Sequence, residues 1–560
     1  MKRKVLAALL AASMVVSLTA CGGGGAAQPA GDAGSAGTEA PAKEEVAGGS
    51  EAAEGSEEAA AGDYQLDQIT MVVDGTLNAN LDNGQKEFND QWDAYVSEKL
   101  GHSIHLDIQQ QDHSGYFDAV GRIFASGSYP DVILMPASMF SQYVNTGIFW
   151  DMTEAYDNAD FQSRMLYPTV NDSVKRIGDG RMYGISPAYG NGCVTYIKKA
   201  WLDNVGIDIS TVKTFDDYYK MLKAFHEEDP DGNGVKGDTY GVISSGYLKT
   251  EEAPYIMYLP EFWQDAYPAI YPNAEGVWVD GFQEQATKDA LERIHQAYVD
   301  GVIDPVSLTA GTKDAREKWF SADQAGSAGT LSYWAGTWFQ TLTENLEKNE
   351  VESEVVMLEP IEEVGAYINR EAYVWGIIDD GDGDSSREQA IFDAFFETML
   401  DGERGQLLWT YGAEDVHWST KAEKFTTNAD DPEKKKDYEY ADGEFHLKQA
   451  LNDPNTIWKK NYLEPALTIC GMKDEYADYV QVGGLAKEGN EFFTAHMKDA
   501  PATPSSETLT EAEGTIKDAK DKLIASVVVD GVDVETAMQN YVAAVGPIVE
   551  QVLTELNSAE

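Results

Sequence analysis

The chain has 560 residues, more than one ordinary domain uses, and its apolar share of 43% suffices for sizeable cores, so two or more lobes are expected. Its formal net charge of −55 excludes nucleic acid as a partner, since phosphate binding needs clustered Lys and Arg, and an acidic surface disfavours anionic ligands in general. The three cysteines, Cys21, Cys193 and Cys470, make no disulfide framework and stand in no cluster of zinc-site spacing.

The first element is a processing signal. Lys2, Arg3 and Lys4 precede a short apolar core, Val5 to Val16, which is too short to span a bilayer and reads as the h-region of a signal peptide. Leu18-Thr19-Ala20-Cys21 then resembles the bacterial lipobox. Residues 1–20 are expected to be removed, leaving Cys21 first and its sulfur bearing diacylglycerol. Two acyl chains anchor firmly, each buried CH₂ contributing about 0.8 kcal/mol. The alternative is an ordinary signal peptide with a chance cysteine. Residues 21–62 continue as Gly, Ala, Ser and Glu without an aromatic residue, a composition that cannot bury enough apolar surface to fold. They predict a tether reaching about 35 Å. The expected location is the outer face of the bacterial cytoplasmic membrane.

From Asp67 onward, strand and helix signals alternate. "ITMVVDG" predicts a strand, and Phe88, Trp92, Tyr95, Val96 and Leu100 share one helical face. "SIHLDIQ" alternates like a strand, "YFDAVGRIFASG" is helical, and "DVILMP" reads as a buried parallel strand. This βαβα order predicts an α/β domain whose ligand loops follow the strand carboxyl ends: "DGTLNAN", "QQQDHS" and "MPASMF". "CVTYIKKAWLDNVGI" is a strand leading into a helix. Phe215, Tyr218, Leu222 and Phe225 line the next helix, with Thr214 placed to cap it. "TKDALERIHQAYVDGVID" is a further helix, closed by Gly301. "AYVWGIIDDGDGD" is a strand running into an acidic turn. "SREQAIFDAFFETMLDGERGQLLWTYG" and the region from about Leu509 are helical, and no internal repeat occurs.

"DPDGNGVKGDTYG" interrupts this series once. Counted from Asp229 as a calcium loop, Asp231 falls at position 3, Asn233 at 5, Gly234 at the turn and the Val235 carbonyl at 7. Position 9 is Gly237, and Tyr240 replaces the usual bidentate Glu at 12. Asp238, at 10, is the remaining acidic candidate. A structural Ca2+ held by Asp229, Asp231, Asn233, Val235 and Asp238 is expected. A metal-free turn capped by Asp and Asn side chains is the alternative.

Several phrases, in order, resemble one family. "GRMYGISPAYGNGCVTYIKKAWLDNVGI", "TFDDYYKMLKAFHEEDPDGNGVKGDTYG", "GVIDP" and "YGAEDVHW" are similar to segments of extracellular solute-binding lipoproteins of ABC transporters, in their LipO-like and alginate-oligosaccharide-binding branch. The resemblance implies a two-lobe periplasmic-binding-protein-like fold with hinge-crossing strands and a ligand cleft. It implies a first lobe of 63–186 and 377–411, and a second of 187–376 and mainly 412–560. It implies a monomer, without catalysis, that captures a carbohydrate, with an oligosaccharide expected, and delivers it to the permease. In the shorter metal loop of that branch an acidic residue stands at position 9, so Gly237 reads as an insertion that lets Asp238 swing in. By position in the family pattern, Trp338 is the stacking candidate, with Tyr189, Asn191, Trp375 and Ser138 as further contacts. Trp263 either lines the cleft or covers a helix.

Two other readings stay open at this stage. A secreted polysaccharide-active enzyme needs only two placed carboxylates, and 96 Asp and Glu make chance pairs inevitable. No G-x-S-x-G or H-E-x-x-H motif is present. Within the binding reading, a peptide or another polar solute could replace the sugar. Pairing of Cys193 with Cys470 is likewise open.

Overall fold

The computed structural model describes residues 64–75, 84–112, 115–245, 255–427, 435–448, 463, 468–479 and 487–558. The expected signal peptide (1–20), Cys21 and the expected tether (21–62) lie outside them. Two separate hydrophobic cores divide these residues.

The first core surrounds a four-stranded sheet ordered Val374–Ile377, Val132–Met135, Gln68–Gly75, His105–Asp112. Gln68–Gly75 pairs in parallel with both neighbours, and Val374–Ile377 closes one edge antiparallel. The helix Gln85–Leu100 buries Phe88, Trp92 and Val96, spaced one helical turn apart, and ends at Gly101 in the left-handed region (φ 74°).

The second core surrounds a mixed sheet ordered Tyr240–Ile243, Ala328–Trp334, Cys193–Lys198, Val355–Met357. Phe215–Glu227 packs on it through Tyr218, Met221, Leu222 and Phe225. It starts at a reciprocal cap, in which the Thr214 side chain accepts from the Asp217 backbone and the Asp217 carboxylate accepts from the Thr214 backbone. The helices Glu507–Val528 and Val534–Ser558 pack against each other and on Gln285–Val299. Among the described residues no helix is long and apolar enough to cross a membrane.

The chain leaves the first core after Ile185 and enters the second at Cys193. The return comes earlier than expected. The boundary at 377 falls inside a strand, because Val374, Trp375 and Ile377 are already buried in the first sheet's core. The segment following 412 is also divided. Ala413, Leu463, Ile469 and Cys470 pack in the first core, and Trp418 and Phe445 form a small cluster with Leu407 and Tyr411. Residues 487–558 supply the second core. Cys193 and Cys470 are therefore buried thiols in different cores, not a disulfide.

Candidate functional site

Strand direction locates the site. Tyr240–Ile243 and Ala328–Trp334 run parallel, and Cys193 pairs with Trp334, so the carboxyl ends of both strands lie where the chain enters the second lobe. In the first sheet Val374 pairs with Met135, so the return crossing also meets a strand carboxyl end. Both crossings thus join the edges where α/β sheets present ligand loops. Of the three loops expected in the first lobe, "DGTLNAN" and "QQQDHS" run beyond the described residues. Ser138, in the third, is exposed in the first turn of Ala137–Val144.

At this junction Asn191 Nδ2 donates to the Ala335 carbonyl at 3.3 Å, and its Oδ1 accepts from Gly192 N at 2.8 Å. Arg370 N donates to the Asn191 carbonyl at 3.1 Å, binding the two crossings together. The approach is close enough to require glycine: a Cβ at Gly190 would lie 1.5 Å from the Arg370 carbonyl oxygen. The Arg370 guanidinium lies 4.5 Å from the Trp334 ring centroid and 5.0 Å from that of Tyr373. Tyr189 is half-buried, its ring 4.7 Å from that of Tyr167, and burial raises its hydroxyl pKa.

Trp338 stands half-exposed in the first turn of Thr337–Lys348, edge-on to Tyr333 at 4.9 Å. The Arg316 guanidinium lies 4.4 Å from the Trp338 centroid and 4.8 Å from that of Tyr333, and Arg316 Nη1 donates to the Tyr333 hydroxyl. Sequence reasoning missed Arg316 and Arg370, because only the fold brings them over these rings. The available signal was the scarcity of basic residues, 41 against 96 acidic.

Two candidates fall away. Trp375 is 2% exposed and packs in the first core beside Phe395 and Trp409, so it is structural and not a ligand contact. Trp263 is 1% exposed in the second core, at the end of Pro260–Trp263, and covers the interior instead of lining a cleft. In both cases a strand or helix face directed inward takes the ring out of reach.

The metal loop holds a compact set of oxygens. Asn233 Nδ2 donates to Asp231 Oδ2 at 2.9 Å and to Asp238 Oδ2 at 2.8 Å, and Gly234 N donates to Asp229 Oδ2 at 3.0 Å. Gly237 is left-handed (φ 78°), which a side chain would resist, and the chain then turns Asp238 back into the loop. Asp229 Oδ1 and Asp238 Oδ1 are buried without a hydrogen-bond donor. Burial raises the Asp231 carboxyl pKa, with the Asp238 and Asp229 charges adding to it. Orphaned buried oxygens among like charges are what a cation relieves, and the all-oxygen donor set suits Ca2+. Among the described residues, three acidic ligand atoms all within 4.8 Å of one another occur elsewhere, at Asp379, Asp380 and Glu388. There the protein already supplies donors, Asp380 N to Glu388 Oε1 at 3.0 Å and Arg387 at 3.4 Å.

Residues 88–351 match the bacterial extracellular solute-binding proteins. The relatives agree: Lipoprotein LipO of Bacillus subtilis (strain 168) is 32% identical over 226 residues, which is 39% of this chain and 42% of that protein. The polygalacturonan/rhamnogalacturonan-binding protein YtcQ of the same organism is 27% identical over 232 residues, 40% of this chain and 43% of that one. The match thus spans less than half the length of these curated relatives. The N-glycan transport solute binding protein NgtS of Streptococcus pneumoniae shares the fold, with a TM-score of 0.56 at 16% identity over 88% of this chain and 98% of that one. The solute-binding fold explains the two cores joined by crossings. The matching family model and YtcQ are both described as binding proteins.

Proposed function

We propose that the protein captures an oligosaccharide between its lobes and hands it unchanged to an ABC permease. The observation that carries this reading is the gathering of Tyr189, Asn191, Trp334, Trp338, Arg370 and Tyr373 at the crossings, where aromatic faces stand beside hydrogen-bonding groups. A pyranose needs both, a flat apolar surface and polar partners for its hydroxyls. The names of YtcQ and NgtS, a polygalacturonan/rhamnogalacturonan-binding protein and an N-glycan transport solute binding protein, support the sugar class. A ligand touching both lobes favours the closed state over the open one, and closure presents a recognisable shape to the permease. Lipid on Cys21 and a tether over 21–62 would keep the body at the outer membrane face, and the name of LipO supports that anchor.

In the same reading Asp229, Asp231, Asn233, the Val235 carbonyl and Asp238 would hold a structural Ca2+, which fixes a surface loop and takes no part in ligand chemistry. The test combines calorimetry, small-angle scattering and product analysis on a set of oligosaccharides. One-to-one binding, a smaller radius of gyration at saturation and unchanged sugar after long incubation are expected. Tight binding of peptides with no sugar response would move the ligand to another class, and multiple turnover would end the capture reading.

A further inference from the structure

We infer that Lys198 is the internal counter-cation of the metal loop and sets the loop's affinity for a divalent ion; this rests on the reading of 229–238 as a calcium site. Lys198 ends the strand Cys193–Lys198 and is 0% exposed. Its ammonium donates to Gln324 Oε1 at 2.6 Å and to Ser327 Oγ at 2.9 Å. It also lies 4.5 Å from the Trp201 ring centroid and 5.2 Å from that of Trp319. None of these partners carries a charge. An ammonium buried without a counter-charge is costly, and folded proteins pair such groups.

The metal loop supplies that charge. The turn that holds the ammonium also holds the loop's exit: Gly326 N donates to the Asp238 carbonyl at 2.6 Å, and Tyr240 N to the Ser327 carbonyl at 2.9 Å. The helix directly after Lys198, Lys199–Val205, holds the loop's entrance, where Asn204 Nδ2 donates to the Pro230 carbonyl at 2.8 Å. The loop is thus fastened at both ends to segments that touch or continue from Lys198. Burial lowers the Lys198 pKa, and the Asp231 carboxylate opposes that shift. Lys236, the loop's own cation, is exposed, where water and salt screen it. The remaining charges balance: the carboxylates of Asp229, Asp231 and Asp238 against one divalent ion and one ammonium. An ammonium beside the site offsets the carboxylates while the site is empty and repels an entering cation in proportion to that cation's charge.

The test titrates the metal-stripped full chain with CaCl2 and with TbCl3 by calorimetry, for the wild type, Lys198→Met and Lys198→Gln. Met removes the charge and keeps the apolar stem; Gln removes the charge and keeps a donor for Gln324 and Ser327. Both variants are expected to bind Ca2+ about 10-fold more tightly than the wild type and Tb3+ about 30-fold, because the Coulomb energy grows with the charge of the ion. The rise in melting between chelator and calcium, compared within each protein, should be larger in both variants. Unchanged affinity in the folded variants overturns the inference and leaves the calcium site standing. Equal gains for the two ions, or weaker binding of both, also overturn it, because they mark a change in loop shape and not in charge. Failure of both variants to fold in saturating Ca2+ overturns it as well, since Lys198 then serves the core alone. Binding of neither ion by the wild type overturns this inference together with the calcium reading.

Discussion

Two tryptophans close to the crossings have opposite fates. Trp375 lies on a strand of the first sheet and is enclosed by Phe395 and Trp409. Trp338 lies in the first turn of a helix, half-exposed, with Tyr333 on its edge and Arg316 over its face. The first ring is surrounded by apolar carbon, and its contribution is to stability. The second is covered by a charged group that tolerates water, so a ligand can meet it without first dismantling a core. The difference teaches that proximity to a hinge does not make an aromatic residue a ligand contact. The neighbours across the fold decide.

The reciprocal substitutions give the sharpest break of this comparison. Trp375→Ala should cost about 3–5 kcal/mol of stability, as for other buried Trp truncations, and leave ligand affinity unchanged in whatever fraction folds. Trp338→Ala should do the reverse, weakening oligosaccharide binding by about 1–3 kcal/mol with a small effect on melting. Denaturant unfolding and calorimetry on both variants check this. If Trp338→Ala unfolds the protein while Trp375→Ala spoils binding alone, the assignment is inverted.

A smaller effect sharpens the contrast inside the second core. Glu261 is fully buried, its Oε1 accepting from Thr195 Oγ1 at 2.7 Å and its Oε2 without a partner. Burial pushes its carboxyl up to about 7, opposed by the bond from Thr195. The neutral form is the one that suits the fold. Its contribution is therefore complete below the ordinary glutamate value and is lost as pH rises through about 7, a loss on the order of 3 kcal/mol by pH 8. The wild type should melt progressively lower from pH 5 to pH 8, and Glu261→Gln should not follow it. A melting difference between the two proteins that stays flat with pH sinks this account.

The calcium loop is the region where charge, not apolar packing, fixes the chain, and the expected effect is smaller again. A ligand that binds only the folded state adds about 2.7 kcal/mol at a hundredfold excess over its Kd. Metal-stripped protein should melt higher when Ca2+ is restored, and Asp231→Ala should cancel the rise. Identical melting in calcium and in chelator would remove the ion from the site.

Much of the molecule was legible in its sequence because the relevant rules are local. The faces of Gln85–Leu100 and Phe215–Glu227, the Thr214 cap, the left-handed glycine after Gln285–Val299 and the oxygen-rich loop at Asp229 each depend on residues a few positions apart. The order of phrases carried the two-lobe solute-binding fold. What the tertiary structure alone decided were matters of long-range contact. The return crossing precedes Val374 because that strand pairs with Val132–Met135, more than 200 positions away. Trp375 and Trp263 are interior because sheets and helices from elsewhere close over them. Arg316 meets Trp338 only because the helix Thr312–Trp319 folds back on the strand Ala328–Trp334. Periodicity tells a side chain which way to face on its own element; burial and charge pairing depend on what arrives opposite, and the sequence does not write that down locally.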